Sequence, residues 1–164
     1  MSFSRAVVVM GVSGTGKSTI GRALAEALGL PFVEGDALHP QANLAKMAAG
    51  VPLTDVDRAP WLDLIAAELH RPVVITCSAL KRSYRDRLRL AAPDLVLVFL
   101  HGEAALLASR VRQREGHFMP VSLLESQLAT LEEPAFDENV IPVDVVLRPD
   151  EIVELVVERL RTLS

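Results

Sequence analysis

Short apolar runs alternate with longer stretches of mixed polarity along most of the chain. The runs at residues 5–10, 72–77 and 95–100 are almost unbroken, which is typical of parallel strands that are covered on both faces. Shorter runs at residues 31–34 and 143–147 fit two further strands. We therefore predict five strands, each separated from the next by helical sequence.

The stretches between these runs have helical spacing of apolar residues, or residue types that begin and end helices. Asp57 is expected to cap the third helix, with Pro60 in its first turn. The predicted helices cover residues 17–28, 40–50, 57–69, 82–90, 103–114 and 122–131, and a last segment that begins at residue 149.

Strands that alternate with helices predict an α/β fold, in which helices flank both faces of a parallel sheet and form three layers. A length of 164 residues fits one domain that spans residues 1–164. Two segments are longer than the connections that alternating strands and helices need. Residues 36–60 are predicted to form a substrate-binding insertion, and residues 110–134 a mobile lid.

The first strand leads into a glycine-rich loop that matches G-x-x-x-x-G-K-[ST] at every fixed position and opens into a helix. This is the order of a phosphate-binding loop, whose backbone N–H groups and helix N-terminus hold an anion. Lys17 is expected to neutralise the β- and γ-phosphates during catalysis, and Ser18 to ligate Mg²⁺. The residues expected to hold the nucleotide are Gly11, Ser13, Gly14, Thr15, Gly16, Lys17, Ser18 and Thr19.

The balance of charge argues against a nucleic-acid partner. The formal net charge is −4 and the sequence has no basic stripe, whereas binding to a phosphate backbone needs clustered Lys and Arg. No apolar stretch approaches the roughly 20 residues that span a bilayer, and the N-terminus has no signal-peptide pattern. The single cysteine, Cys77, excludes an internal disulfide. We expect a soluble, cytoplasmic protein with no membrane contact.

Asp36 follows the second strand, at the sheet edge that carries the phosphate loop. A carboxylate there could orient or deprotonate an acceptor hydroxyl or help to hold Mg²⁺, and the alternative is a simple turn aspartate. His39 comes three residues later. Its spacing fits contact with a substrate and a structural role equally well.

Three basic residues are candidates for holding an anionic substrate. Arg58 lies in the first insertion, and its guanidinium suits two-point binding of a carboxylate, unless it only pairs with neighbouring aspartates. Lys81 and Arg85 follow the third strand. Either could reach an anion, and both fit equally well as solvated charges of a helix.

The predicted lid contains Arg110 and Arg114, which are four residues apart and share a helix face. One could stack on adenine while the other stabilises charge on the transferring phosphoryl group, and the alternative is an exposed basic helix end. His117 could point into the closed site. The third strand ends in Cys77 and Ser78, where many phosphate-loop enzymes have a metal-directing aspartate, so Mg²⁺ is expected to depend on Ser18, waters and Asp36.

Several stretches together resemble the gluconate kinases, small sugar-acid kinases related in fold to shikimate and adenylate kinases. The phosphate loop alone would indicate only nucleotide binding, and the segments around Asp36, Asp57 and Cys77 are more specific. The matching residues are 11–19, 35–40, Asn43, Lys46, Met47, 52–58, Pro60, Trp61, Leu62, 77–81, Tyr84, Arg85, Asp86, Gly116, His117, Phe118, Gln127 and 131–134.

The resemblance implies a P-loop kinase fold with strand order 2-3-1-4-5 and transfer of the γ-phosphoryl group of ATP to the 6-hydroxyl of D-gluconate. It also implies Mg²⁺ as cofactor and a possible homodimer. Asp36, His39 and Gln127 would contact the hydroxyls of gluconate, and Arg58 or Lys81 its carboxylate.

Two other readings remain open. The chain could be a kinase for another small hydroxy acid, such as shikimate, or a nucleotide-dependent regulatory module. A GTPase would carry N-K-x-D and D-x-x-G elements, and the sequence contains neither.

Overall fold

The sheet has five parallel strands in the predicted order. The computed structural model describes residues 3–113 and 121–163. Its strand order is β2-β3-β1-β4-β5, and every neighbouring pair is parallel. The strands are β1 (Val7–Met10), β2 (Phe32–Val33), β3 (Val74–Thr76), β4 (Val96–His101) and β5 (Val140–Asp144). The α/β fold class and the strand order are therefore confirmed.

Helices flank this sheet, the first packed against the seventh and the third against the fourth. Short 3₁₀ helices, Gly35–Leu38 and Phe136–Glu138, follow β2 and precede β5. The α-helices are α1 (Lys17–Leu28), α2 (Gln41–Ala48), α3 (Asp55–Glu68), α4 (Arg82–Ala91), α5 (Ala104–Gln113), α6 (Val121–Thr130) and α7 (Pro149–Leu163).

The central strands form the middle of the apolar core. Every residue of β1 and β3 is buried, as the unbroken apolar runs predicted. Cys77, directly after β3, is also buried, and this burial raises the pKa of its thiol to about 12. A thiol in this environment stays protonated at neutral pH and is a poor nucleophile.

The predicted position of the last strand was wrong by three residues. β5 is Val140–Asp144 rather than residues 143–147. As an edge strand it buries alternate side chains, Ile141 and Val143, and exposes the residues between them. The contiguous apolar run drew the prediction toward Val146, which is exposed. Pro142 is tolerated because an edge strand leaves one side without ladder partners.

The predicted cap of α3 was also wrong. Thr54 is the N-cap, and Asp57 is the third residue of the helix. The Thr54 hydroxyl accepts from the Asp57 N–H at 3.1 Å, and the Asp57 carboxylate accepts from the Thr54 N–H at 2.9 Å. This reciprocal capping box satisfies two amide groups at the start of the helix, so α3 begins three residues earlier than a cap at Asp57 implied.

Candidate functional site

An open cleft of about 920 Å³, including its solvent-facing mouth, lies at the carboxyl ends of the central strands. This edge is where open α/β sheets bind ligands. One wall is the phosphate loop with the start of α1, and the others come from the first insertion and from α6. The loop residues on this wall are Ser13, Gly14, Gly16, Lys17, Ser18 and Thr19.

The phosphate loop adopts a backbone conformation that requires glycine at two positions. Gly14 has φ of +85°, and a Cβ there would lie 2.8 Å from the Leu107 carbonyl oxygen. A Cβ on Gly11 would lie 2.6 Å from the Leu100 carbonyl oxygen. The buried Thr15 hydroxyl donates to the Val12 carbonyl at 2.8 Å. Gly11 and Thr15 therefore shape the loop rather than line the cleft.

Lys17 is the first residue of α1, and its side chain folds back over the loop. Its Nζ donates to the carbonyl oxygens of Gly11 at 2.9 Å and Val12 at 3.2 Å. The N-cap of α1 is Gly16, which has no side chain of its own to occupy the amide groups of the first turn. The ammonium group and these amides together favour an anion at this wall.

Glu34, which was not among the predicted site residues, lies directly beside Ser18. The Ser18 hydroxyl donates to Glu34 Oε2 at 2.6 Å, and the Thr76 hydroxyl donates to Glu34 Oε1 at 2.6 Å. Glu34 ends the predicted second strand one residue before Gly35, so its place at the ligand-binding edge was a usable signal. Hydroxyl and carboxylate oxygens are the ligands that Mg²⁺ prefers, and this pair fits the ion.

Asp36 and His39 lie close to each other, and both line the cleft. His39 Nε2 lies 3.8 Å from Asp36 Oδ1, and the His39 side chain is 3% exposed while that of Asp36 is 44% exposed. The imidazole stacks on Trp61 with ring centroids 4.0 Å apart, and the indole N–H donates to the Gly35 carbonyl at 2.8 Å. Burial lowers the pKa of His39 to about 4 against the opposing charge of Asp36, so the ring is neutral at pH 7.

Arg58 is held at the cleft by neutral groups. Its Nη1 donates to the Leu53 carbonyl at 2.9 Å and to the Tyr84 hydroxyl at 3.1 Å, and its guanidinium lies over the Tyr84 ring. Tyr84 in turn donates to Asp55, which forms an ion pair with Lys81 at 3.0 Å. Arg58 lines the cleft, whereas Lys81 lies in this ion pair at the start of α4.

Arg85 does not face the cleft. Its Nε lies 2.8 Å from Glu138 Oε1, and both side chains are 1% exposed. Its Nη1 donates to the Ala79 carbonyl at 2.8 Å. This buried pair joins α4 to the segment before β5, so the suggestion that Arg85 binds an anionic substrate was wrong.

Gln127 brings α6 onto the phosphate loop. Its side-chain oxygen accepts from the Ser13 N–H at 2.8 Å, and Gln127 lines the cleft. Arg110, near the end of α5, donates to the Val145 carbonyl at 2.9 Å, and its stacking on adenine stays a prediction. Arg114 and His117 lie outside the described residues, so their predicted roles also stay predictions.

Comparisons of the sequence with known proteins find a matching family model and several similar gluconokinases. Residues 7–134 match the family described as an AAA domain. A gluconokinase from Gluconobacter oxydans is 56% identical over 158 residues, which cover 92% of this chain and 88% of that protein. The thermoresistant gluconokinase from Escherichia coli is 43% identical over 145 residues, which cover 84% of this chain and 83% of that protein.

Solved structures agree with the sequence comparisons. A crystal structure of a gluconokinase from Sinorhizobium meliloti is similar with a TM-score of 0.92 at 54% identity, covering 99% of this chain and 95% of that one. A shikimate kinase from Aquifex aeolicus has a TM-score of 0.61 at 16% identity, covering 96% of each chain. At that identity the second likeness concerns the fold alone. None of the helices within residues 3–113 and 121–163 is long and apolar enough to cross a bilayer.

Proposed function

Because the chain belongs to the gluconokinase family, we propose that it transfers the γ-phosphoryl group of ATP to the 6-hydroxyl of D-gluconate. The products are ADP and 6-phospho-D-gluconate. The observation that carries this proposal is the meeting in one cleft of Lys17 on the phosphate loop, the Asp36 carboxylate and the Arg58 guanidinium. These three groups match the triphosphate, the reacting hydroxyl and the carboxylate of the acceptor.

The phosphate loop holds the triphosphate of ATP through its backbone amides. Lys17 moves from the carbonyls of Gly11 and Val12 to the β- and γ-phosphates, where its charge offsets the negative charge that develops on transfer. The Ser13 N–H, which bonds to Gln127, is a further donor for a phosphate oxygen. Nucleotide binding and the position of α6 are therefore coupled.

The acceptor lies between Arg58 and Asp36. Arg58 binds the gluconate carboxylate, and His39 and Gln127 bond to hydroxyls along the chain of the acid. Asp36 orients the 6-hydroxyl in line with the γ-phosphate and accepts its proton as the new O–P bond forms. The bond from the γ-phosphorus to the bridging oxygen breaks, and its electron pair leaves with ADP. Positioning and charge neutralisation supply most of the rate acceleration.

Ser18 and Glu34 are the residues that would hold Mg²⁺. When bound there, the ion would supply positive charge that neutralises part of the charge of the triphosphate. Glu34 is well placed for this because Thr76 fixes one carboxylate oxygen and leaves the other directed at Ser18. A homodimer and a cytoplasmic location, which the sequence led us to expect, remain predictions.

A coupled assay of ADP release tests the proposed reaction. The acceptors are D-gluconate, shikimate, other sugar acids and nucleoside monophosphates, each with ATP and Mg²⁺. We expect substantial turnover with D-gluconate alone. Turnover with shikimate in place of gluconate would assign the cleft to another hydroxy acid, and ATP binding without turnover on any acceptor would favour a regulatory module.

Arg58→Ala is expected to raise KM for gluconate by about ten- to a hundredfold, which is the effect of losing a hydrogen-bonded charge contact. KM for ATP should stay near its wild-type value, because Arg58 lies on the acceptor side of the cleft. Steady-state kinetics with each substrate varied in turn measures both constants. Lys81→Ala is the matched control, since its ammonium already pairs with Asp55. If only the Lys81 variant raised KM for gluconate, the carboxylate site would belong to Lys81.

Glu34→Gln is expected to raise the Mg²⁺ concentration needed for half-maximal activity by about ten- to a hundredfold. The amide keeps the shape of the side chain but loses the charge that favours the ion. Activity is measured over a Mg²⁺ titration at saturating ATP and gluconate. Glu26→Gln, an exposed glutamate of α1, is the control for loss of one charge. An unchanged Mg²⁺ requirement would reduce Glu34 to a brace between Ser18 and Thr76.

A further inference from the structure

We propose that Asn43 is a positioning residue that fixes His39 as its Nε2–H tautomer, so that His39 donates a hydrogen bond to the acceptor hydroxyl and leaves proton abstraction to Asp36. The inference rests on the proposed function for the identity of the acceptor. Its first part concerns the protonation of one ring, which can be observed without any substrate.

The Asn43 side chain has only one orientation that satisfies its neighbours. Its Nδ2 lies 3.0 Å from the Asp57 carbonyl oxygen and 3.1 Å from His39 Nδ1. A backbone carbonyl can only accept, so the atom facing Asp57 is the amide nitrogen with its two N–H groups. One N–H bonds to Asp57, and the other points at His39. His39 Nδ1 must therefore accept, and it carries no proton.

The chain builds this arrangement from short local elements. His39 follows the 3₁₀ helix Gly35–Leu38, and Asn43 lies four residues later in the first turn of α2. The Asp57 carbonyl comes from the first turn of α3, so two helices hold the amide in place. Asn43 is 3% exposed, and its hydrogen bonds therefore lie where water competes little.

The other ring nitrogen faces the reacting group. With Nδ1 unprotonated, the neutral ring carries its proton on Nε2, which lies 3.8 Å from Asp36 Oδ1. This separation is too long for a direct hydrogen bond. A hydroxyl oxygen in the cleft can lie at about 2.8 Å from both atoms, to one side of the line that joins them. It would accept from His39 and donate to Asp36, so the histidine cannot also act as the base.

The charges around the ring favour the neutral form. Asp36 raises the pKa of His39, but burial and the nearby Arg58 lower it, and burial is the largest effect. On the far side of Asn43, Lys46 and Asp57 form an ion pair at 2.7 Å, which leaves little net charge there. A protonated ring would also direct an Nδ1–H group at the N–H of Asn43, so two donors would face each other.

Trp61 provides a spectroscopic reporter for this ring. It is the single tryptophan of the chain, and it stacks on His39 with an angle of 15° between the ring planes. A charged imidazolium against the indole face changes and quenches its emission, whereas a neutral ring does so far less. A pH titration of tryptophan fluorescence therefore follows the protonation of His39.

The test compares the wild-type protein with Asn43→Asp. The variant keeps the side-chain size but replaces the donor with an anionic acceptor, which demands a proton on His39 Nδ1. The protonation of each ring nitrogen is read from ¹⁵N spectra of histidine-labelled protein at pH 7. The signals of His39 are identified as those that are missing from the spectrum of His39→Gln. The wild type should show a protonated Nε2 and an unprotonated Nδ1. In the variant Nδ1 should be protonated, and the fluorescence midpoint should rise by about one to three pH units.

Kinetics tests the second part of the proposal. In Asn43→Asp, kcat/KM for gluconate should fall on the order of tenfold or more, because the donor to the hydroxyl is lost or becomes a competing charge. KM for ATP should be unchanged. Asn139→Asp is the matched control, since it adds the same charge at an exposed position beside β5. It should leave the spectrum, the titration and the kinetics at wild-type values.

Two results would overturn the proposal. One is a wild-type spectrum with a proton on His39 Nδ1. This measurement needs only the wild-type protein, so it can be made even if Asn43→Asp does not fold. The other is wild-type kcat/KM for gluconate in a folded Asn43→Asp whose tautomer has changed. If gluconate is not a substrate at all, the proposed function fails, but the ¹⁵N and fluorescence results still decide the role of Asn43.

Discussion

Lys17→Ala is expected to reduce turnover at least about a thousandfold while the protein remains folded. The Lys17 ammonium is the charge of the phosphate loop that is expected to meet the β- and γ-phosphates, and its loss leaves the developing charge to the backbone amides. Stability should change little, because Lys17 itself lines the cleft, where water can enter and replace its ammonium group at the two carbonyls.

Lys17→Met separates the charge of this residue from the bulk of its side chain. Both variants should show the same loss in kcat, and thermal unfolding should place both near the wild-type melting temperature. Wild-type turnover in either variant would remove Lys17 from the mechanism. A large drop in melting temperature would instead mean that the side chain braces the loop through Gly11 and Val12.

The parts of the molecule that follow from contiguous sequence were predicted well. The phosphate loop is specified within nine residues, 11–19, because glycine conformations and helix initiation are local properties. The nearly unbroken apolar runs of β1, β3 and β4 are typical of strands buried on both faces. β5 was misplaced because an edge strand buries every second residue, so its apolar pattern is weaker and shorter than that of a central strand.

The chemistry beside the loop depends on contacts between distant positions. Glu34 gains its place from Ser18, 16 residues earlier, and from Thr76, 42 residues later. A Ser, a Thr or a Glu at any one of these positions is not by itself a sign of a metal site. The pairing of β2 with β3 brings Glu34 and Thr76 together. The sequence therefore indicated the edge of the sheet where ligands bind, but not this carboxylate.

The acceptor side shows the same limit. Arg58 was predicted from its residue type, yet the alternative of pairing with neighbouring aspartates could only be settled by tertiary contacts. Asp57 bonds to Lys46 and Asp55 to Lys81, which leaves Arg58 to Leu53 and Tyr84. Asn43 belonged to the family resemblance without a role, because its action on His39 requires a backbone carbonyl from another helix.

Asp36→Asn is expected to lower kcat by about a hundred- to ten-thousandfold, the usual range for loss of a general base. The amide has the shape of the carboxylate and its oxygen can still accept a hydrogen bond, but it cannot take the hydroxyl proton and carries no negative charge. ATP binding should stay near wild type, because Asp36 lines the cleft but is not part of the phosphate loop. Single-turnover kinetics and calorimetric ATP titration, both at saturating Mg²⁺, measure the two effects separately.

Asp63→Asn is the matched control for Asp36→Asn, since Asp63 is an exposed carboxylate paired with Arg87 on another surface. The variant at Asp36 also has an internal check. Because the negative charge of Asp36 raises the pKa of His39, its removal should shift the Trp61 fluorescence titration below the wild-type midpoint. This shift together with a wild-type kcat would contradict the proposed role of Asp36. It would mean that Asp36 lies beside His39, as in the structure, but takes no part in the reaction. The proton of the acceptor hydroxyl would then leave to solvent or phosphate.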